Sequence, residues 1–208
     1  MLAIVPFIPV PATSSYTNTL AVLHHLKFMD ESSVNTSMTR LYGSHPSRGG
    51  RAAPHLRVID KVPRLSGPNT TTLAVLGLEG IVAPLVIKGA VNGATFYGYI
   101  EQCVAPKLVP GDVLFIDNLS AHKVAGIADL VKARGARLVF LPPYSPDLNP
   151  KVALRGAIEL AWSKVKTILR RLKARTDDVL LEALKTALLA ITPQDIVNWF
   201  AHCGYAVN

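Results

Sequence analysis

The middle of the chain alternates between apolar runs and glycine or proline breaks, which predicts a series of short strands and helices. The run TTTLAVLGLEGIVAPLVIKGAV predicts two β-strands joined across Glu79-Gly80, because two β-rich runs separated by a short glycine-containing turn are typical of a hairpin. The next run, NGATFYGYIEQCVAPKL, has helical spacing with Phe96, Ile100 and Cys103/Val104 on one face. We therefore expect a hairpin followed by an amphipathic helix.

A parallel crossover is predicted after this helix. The run GDVLFIDN is short and continuously apolar, as expected of a central strand covered on both faces, and it ends on Asp117. AGIADLVKARG then has helical spacing and stops at Gly135, and ARLVFLPPYS is again typical of a buried strand. Strand, helix and strand within about 30 residues indicate a right-handed parallel connection.

One further strand is predicted before the hairpin. The run LAVLHHLKFMDESS contains an apolar strand-like segment with Asp30 at its tip. From Ser32 to about Pro68 the chain is rich in Ser, Gly and Arg, which predicts a loop. The N-terminal residues show no clear period. We therefore expect residues 1–25 to be a poorly structured leader or truncated remnant, and residues 26–208 to form one domain.

The chain is predicted to be helical from Ile158 onward. Three runs with helical spacing follow one another, namely IELAWSKVKTILRRLKAR, TDDVLLEALKTALLAI and TPQDIVNWF. Thr176 and Thr192 are predicted N-caps, the second with Pro193 at the first helical position. Together the elements indicate an α/β fold, a mixed sheet flanked by helices with a helical C-terminus.

Composition and charge exclude several classes of protein. Half of the 208 residues are hydrophobic, so the chain is long and apolar enough to bury a core. The net charge of +8 favours a polyanionic partner such as nucleic acid. The two cysteines lack the spacing of a zinc site. Prolines interrupt the apolar N-terminal segment, which disfavours a signal peptide. No apolar run is long enough to span a bilayer. A cytoplasmic protein is expected.

Two acidic residues follow apolar strands, Asp30 in KFMDES and Asp117 in LFIDNLSAH. Ligands of α/β sheets gather at the carboxyl ends of strands, so acids placed there face a site instead of a core. A cap or turn role is the alternative for either acid alone, but polar side chains follow both. Carboxylates from different strands repel one another unless a divalent cation neutralises them, and oxygen ligands of this kind suit Mg²⁺ or Mn²⁺.

Three blocks of the sequence resemble a known family. FMDESSVNTSMTRLYG, LFIDNLSAHK and LVFLPPYSPDLNP, in this order, resemble the DDE superfamily transposases of bacterial insertion sequences, in their mariner-related branch. The resemblance covers the chain from about Phe28 to the C-terminus. It implies a ribonuclease-H-like catalytic domain with two Mg²⁺ or Mn²⁺ ions.

The resemblance also implies an activity and partners. Such enzymes cleave DNA at transposon ends and transfer strands into target DNA, usually as dimers. This implies a prokaryotic cytoplasmic protein that associates with the nucleoid when it is bound to DNA. The family carries a helix-turn-helix region before the catalytic domain, and residues 1–25 are too short to contain one.

The third acid of this family follows an Asn-Pro dipeptide almost at once, but here Lys151–Ala157 come after Asn149-Pro150. Without these seven residues the sequence would be NPIELAWSKVK, and the resemblance therefore makes Glu159 the third acid. Glu159 lies 159 − 117 = 42 positions after Asp117, or 35 without the insert. A helix extended by the insert would carry Glu159 away from the aspartates, whereas a loop bulge would leave it in place. The surface tolerance of loop insertions favours the bulge.

Other residues are predicted to surround the site. His122 and Lys123 match the family pattern after the second aspartate and are expected to contact a DNA phosphate, and a helix cap or a bond to a loop carbonyl is the alternative for His122. The residues expected to shape the site loop are Asn118, Tyr144, Ser145 and Asn149. Beyond Glu159, basic residues recur at helical spacing at Lys166, Arg170 and Lys173. A solvated helix face is the usual explanation of such a run, but a neighbouring nuclease site favours contact with phosphates.

Two alternative functions stay open. The insert and the long segment SHPSRGGRAAPHLRVIDKVPR suggest a degraded copy, an inactive remnant that retains non-specific DNA binding. A hydrolase that uses paired carboxylates on sugars without a metal is the second alternative. The positive net charge and the low aromatic content of 7% count against it.

Overall fold

The computed structural model describes residues 22–39, 61–63, 67–141 and 156–205. The strands are β1 (Leu26–Val34), β2 (Thr70–Gly77), β3 (Gly80–Lys88), β4 (Val113–Ile116) and β5 (Arg137–Phe140). The α-helices are α1 (Gly93–Tyr99), α2 (Ile127–Lys132), α3 (Gly156–Leu172), α4 (Asp177–Leu189) and α5 (Pro193–His202). A π-helix at Ile100–Val104 continues α1, and 3₁₀ turns lie at Ala105–Lys107 and Ser120–His122.

The strands form one mixed sheet in the order β3-β2-β1-β4-β5. β1, β2 and β3 pair antiparallel, and β4 and β5 run parallel to β1. Helix α2 connects β4 to β5, as expected of a parallel crossover. The predicted mixed α/β sheet is therefore confirmed.

Two layers of helices cover the two faces of the sheet. On one face, α3, α4 and α5 pack on side chains of β1 and β2 such as Phe28 and Leu76. On the other face, α1 and α2 pack on Met29, Leu73 and Val75. Adjacent residues of β1 belong to different clusters because successive side chains of a strand point to opposite faces. Asp30, two residues after Phe28, lies on the face of α3.

The predicted hairpin is confirmed, with Leu78 and Glu79 as its two-residue turn. Gly77 pairs with Gly80, and Gly80 has a φ of 125°, a conformation that glycine adopts without steric cost. The carboxylate of Glu79 forms an ion pair with the buried Lys27 ammonium of β1. This pair ties the hairpin turn to the amino end of the central strand.

The predicted tip of the first strand is wrong, since β1 continues four residues past Asp30 to Val34. Its antiparallel pairing with β2 extends to Val34 opposite Thr70, and the polar residues Ser32 and Ser33 are therefore part of the strand. The polar residues after Asp30 suggested a loop, but backbone hydrogen bonds to β2 extend the strand through them. Residues 1–21 of the leader expected at 1–25 and most of the predicted loop after Ser32 lie outside the described residues, and Leu23 within the expected leader is buried.

Both predicted N-caps of the C-terminal helices are confirmed. Thr176 Oγ1 accepts a hydrogen bond from the Val179 amide at 3.4 Å, and Thr192 Oγ1 accepts one from the Asp195 amide at 3.2 Å. The Asp195 carboxylate in turn accepts from the Thr192 amide at 2.7 Å, which completes a capping box. The same carboxylate binds the ammonium of Lys164, so the cap also joins α5 to α3.

No helix within the described ranges is long and apolar enough to cross a bilayer.

The Asp195 carboxyl is predicted to make stability depend on pH. Its pKa is lowered from 3.8 to about 2, first by the hydrogen bond from Lys164 and then by those from Thr192. A carboxyl whose pKa is lower in the folded state stabilises the fold above its unfolded pKa, and this contribution is lost as the pH falls through the folded pKa. We expect Asp195→Asn to lower the free energy of unfolding by about 1 kcal/mol at pH 6, and by progressively less as the pH falls from 4 towards 2.

Urea unfolding of the wild type and the variant at pH 6 and pH 2.5 measures this effect. Glu182→Gln is the matched control, because that exposed carboxylate lies 4.0 Å from Lys185 Nζ and such pairs contribute little. An equal loss of stability for Asp195→Asn at both pH values would contradict the prediction.

Candidate active site

The register of β1 with β4 places two aspartates beside each other. The paired residues are Leu26 with Val113, Lys27 with Leu114, and Phe28 with Phe115. Asp30 and Asp117 continue the same offset, since 115 − 28 and 117 − 30 are both 87. Adjacent strands lie about 4.8 Å apart, so we infer that the two residues lie near each other, two positions past the last paired residues Phe28 and Phe115.

Ring packing fixes the side of the sheet on which these residues lie. Phe28 and Phe115 stack with ring centroids 5.3 Å apart and an interplanar angle of 18°. Asp30 follows Phe28 by two positions, and Asp117 follows Phe115 by two. Because side chains alternate along a strand, Asp30 lies on the face that α3 covers, whereas Asp117 comes directly after the last residue of β4. The Asp30 residue is 7% exposed and the Asp117 side chain is 13% exposed, so both carboxylates are largely removed from water.

The carboxylate of Asp117 is held by the turn that follows β4. Its Oδ1 accepts hydrogen bonds from the backbone amide of Leu119, at 3.3 Å, and from His122 Nδ1. The imidazole of His122 stacks on Phe96 of α1, with ring centroids 4.2 Å apart and an interplanar angle of 22°. His122 is 2% exposed, so a direct contact of this ring with DNA phosphate would require it to leave its packing. The ring donates to the Asp117 carboxylate, and the predicted contact with a DNA phosphate stays a prediction.

Glu159 lies in the first turn of α3, which covers the face of the sheet that holds Asp30, and is exposed. Its neighbours Ile158 and Trp162 are buried in the core beneath α3. Burial, and then the charge of Glu159, raise the pKa of the Cys203 thiol at the end of α5. Glu159 therefore lies close to the C-terminal end of α5.

The third acid is not gathered with the other two in a ready-made ligand group. Within residues 22–39, 61–63, 67–141 and 156–205, no three His, Cys, Asp or Glu side chains are placed to hold a metal ion. The assignment of Glu159 as the third acid stays a prediction. The donor pair of Asp30 and Asp117 does suit a hard divalent cation, because it offers carboxylate oxygens from two strands whose like charges repel each other.

Part of the seven-residue insert belongs to α3. Gly156 and Ala157 are helical, and Lys151–Arg155 lie outside the described residues. Trp162 and Val165 are 5% and 1% exposed, which is the packing that a bulged insert requires. The choice between a bulge and a helix extension stays a prediction.

The structure divides the other predicted site residues into three groups. Lys123 is exposed directly after the 3₁₀ turn, and Asn118 is half-buried directly after Asp117. Tyr144, Ser145 and Asn149 lie outside the described residues. The basic residues of α3 and its end differ in exposure, with Lys166 and Arg170 half-buried and Lys173 exposed.

Two further basic residues near this face have structural partners. Lys164 binds Asp195, as described above. Arg175 Nη1 donates to the carbonyl oxygens of Thr36 at 3.0 Å and Met38 at 2.8 Å, and so joins the end of α3 to the segment after β1.

Sequence reasoning missed the contact between His122 and Asp117. The two residues are five positions apart, a spacing that no regular element brings together, and the contact depends on the 3₁₀ turn at Ser120–His122. The stacking of His122 on Phe96 was also missed. The apolar face predicted for the helix that contains Phe96 was the only available signal, and it did not indicate what would cover that ring.

The family model described as DDE superfamily endonuclease matches residues 25–180. No curated protein matches the chain.

Solved structures of similar fold include a Mos1 transposase paired-end complex with the left transposon end, at 14% identity and a TM-score of 0.61. A Mos1 mariner paired-end complex with Mn is 13% identical with a TM-score of 0.62. Each similarity covers 98% of this chain and 63% of the Mos1 chain, so this chain spans less than two thirds of the Mos1 length. The Mos1 catalytic domain with raltegravir and Mg is 13% identical, with a TM-score of 0.51 and coverage of 90% and 85%. These similarities confirm the predicted ribonuclease-H-like fold.

The position of Glu159 is testable through the reactivity of Cys203. In a Cys103→Ser background, Glu159→Gln removes a negative charge that raises the pKa of the Cys203 thiol. We expect the pH of half-maximal reaction with iodoacetamide to fall in this variant. Mass spectrometry of time points across a pH series measures the rate. Glu182→Gln, an exposed acid of α4, is the control, and an unchanged pH profile for Glu159→Gln would contradict the placement.

Proposed function

The chain belongs to the DDE superfamily endonucleases, and on this premise we propose that it is the catalytic domain of a transposase. It cleaves DNA at transposon ends and transfers the freed strand into target DNA. The observation that supports the proposal is the parallel register of β1 and β4, in which Phe28 pairs with Phe115 two residues before Asp30 and Asp117. Both residues lie within the range that the family model matches.

The proposed site uses carboxylates as ligands of divalent cations. Asp30 and Asp117 hold two Mg²⁺ or Mn²⁺ ions, and Glu159 completes the ligand set from the first turn of α3. When bound, such ions lower the pKa of the attacking water or 3′-hydroxyl and stabilise the attacking and leaving oxygens of an in-line displacement. The similar Mos1 structures contain Mn in one case and Mg in another, and they share the fold of this chain.

Each residue of the chain has a separate task in this scheme. Asp30 and the residues before and after it in β1 pair with β2, so Asp30 supplies a ligand from a rigid strand. Asp117 lies just past its strand and is oriented by the turn that follows. Exclusion of water from the largely buried carboxylates strengthens their attraction for cations.

The DNA is proposed to run from this edge along the basic side chains of α3. Lys166, Arg170 and Lys173 neutralise phosphates, and Lys123 contacts the backbone beside Asp117. The site-loop residues Tyr144, Ser145 and Asn149 are proposed to lie around the third acid. Similar structures are described as paired-end and strand-transfer complexes of Mos1. By analogy, two copies of this chain act together on paired ends in the bacterial cytoplasm, at the nucleoid.

Replacement of either aspartate tests the proposed cation site. We expect Asp30→Ala and Asp117→Ala to abolish Mg²⁺-dependent nicking of supercoiled plasmid and of oligonucleotides that carry transposon ends, while circular dichroism shows a retained fold. Glu31→Gln is the matched control, because Glu31 adjoins Asp30 but lies on the opposite face of β1. Nicking by either alanine variant at the wild-type rate would refute the assignment.

The same assay separates the alternatives. EDTA abolishes nicking by a metal-dependent site, whereas a carboxylate hydrolase that acts on sugars without metal keeps its activity. A remnant that only binds DNA shows no nicking at any Mg²⁺ or Mn²⁺ concentration.

The proposed DNA path along the basic face of α3 is tested by the salt dependence of binding. Replacing Lys166, Arg170 and Lys173 by Ala is expected to reduce the slope of log Kd against log salt concentration by about 2 to 3, because each lost phosphate contact removes about 0.9. Fluorescence anisotropy with a 20-base-pair duplex at several salt concentrations measures the slope. The matched control replaces three exposed basic residues at the far end of the crossover, Lys132, Arg134 and Arg137. Equal slopes for the two triple variants would contradict this DNA path.

A further inference from the structure

We propose that His122 is a positioning residue, which orients the Asp117 carboxylate for cation binding through its Nδ1–H. The inference rests on the proposed function, since it assigns a role toward the metal ligand Asp117. It replaces a direct contact with DNA as the task of this side chain. The evidence is the hydrogen bond, the packing of the ring and the position of Asp117 past the end of its strand.

The hydrogen bond defines which ring nitrogen carries the proton. A carboxylate only accepts hydrogen bonds, so the donor to Asp117 Oδ1 is His122 Nδ1–H. The other nitrogen, Nε2, is buried and has no hydrogen-bond partner among the residues that the structure describes. A single bond therefore sets the tautomer, in the manner of histidines and carboxylates that support metal sites.

The packing of the ring fixes the direction of this bond. The imidazole is stacked on Phe96, which is itself fully buried in α1. Helix α1 lies close to the segment after β4: a Cβ added to Gly93 would lie 3.1 Å from Val124 Cγ2. The ring is thus held between a helix and a turn, and its Nδ1–H points at Asp117 as a preformed donor.

Asp117 requires such support more than Asp30 does. Asp30 lies inside β1 and is opposite Ala74 in the antiparallel ladder, whereas β4 ends at Ile116. A carboxylate beside a second carboxylate is repelled from it, and a fixed donor on one oxygen opposes this displacement. The His122 ring supplies that donor at the point where the sheet no longer holds the chain.

A second His–Asp pair, directly before the same two strands, offers an internal control. His25 precedes β1 and Asp112 precedes β4, so this pair lies at the opposite end of these strands from Asp117. Their Nδ1 and Oδ1 atoms are 3.0 Å apart, and the His25 side chain is 42% exposed. This pair has the same chemistry and no role at the proposed site.

The tautomer of His122 is measured first, on the metal-free full chain with ¹⁵N-labelled histidine. Long-range ¹H–¹⁵N correlation spectra distinguish the two ring nitrogens, and the His122→Asn spectrum assigns the signals. The expected result is a ring protonated at Nδ1. A ring of His122 protonated at Nε2 alone would overturn the proposal, whatever the activity of the chain.

Cation binding is measured next, by the loss of the free Mn²⁺ signal in electron paramagnetic resonance. His122→Phe keeps an aromatic ring against Phe96 but has no donor, and we expect its Kd for Mn²⁺ to rise about 10- to 100-fold. His122→Asn restores a side-chain N–H near the position of Nδ1, and its Kd is expected to stay within about threefold of the wild type. His25→Phe is expected to bind Mn²⁺ as the wild type does.

The variants distinguish a failure of this inference from a failure of the proposed function. If only the inference is wrong, Asp30→Asn weakens Mn²⁺ binding and His122→Phe does not. If the proposed function is wrong, the wild type shows no Mn²⁺ binding that Asp30→Asn weakens, and the positioning role falls with it. If His122→Phe unfolds, the protonation of the wild-type His122 ring decides whether the positioning role holds, and the effect of Asp30→Asn on Mn²⁺ binding decides whether the proposed function does.

Discussion

The pairing of β1 with β4 determines which side chains meet at the carboxyl end of the sheet. The stacked rings of Phe28 and Phe115 lock this register on the side of α3. A slip of one residue would move every side chain of a strand to the opposite face. Asp30 would then lie on the face that α1 and α2 cover. The proposed site therefore depends on core packing two residues away from it.

Local patterns along the chain made some elements of the fold and one acid of the site predictable. The apolar run before Asp117 indicated a buried strand with an acid at its end, and Thr192 with Pro193 indicated a helix start; both features are present. Asp30 was expected at the tip of its strand and lies within it, because the pairing partner β2 begins 40 positions later at Thr70. A single run of sequence contains no information about such a distant partner, and the polar residues after Asp30 suggested a loop.

The contacts that orient the site were not predictable from spacing. His122 reaches Asp117 through a 3₁₀ turn and stacks on a ring from α1, so its position depends on three separate elements. Glu159 was derived from a resemblance across an insert, and the structure places it on α3, near Cys203. Strands and helices thus follow from patterns along the chain, whereas the geometry of a site follows from the way in which distant elements pack.

A crystal structure of the chain with Mn²⁺, with anomalous scattering used to locate the ions, tests the proposed cation site most directly. We predict an anomalous peak bound by carboxylate oxygens of both Asp30 and Asp117, with Glu159 completing the ligands. A structure in which Asp30 and Asp117 bind no ion at saturating Mn²⁺, or in which the two carboxylates point to opposite faces of the sheet, would contradict it.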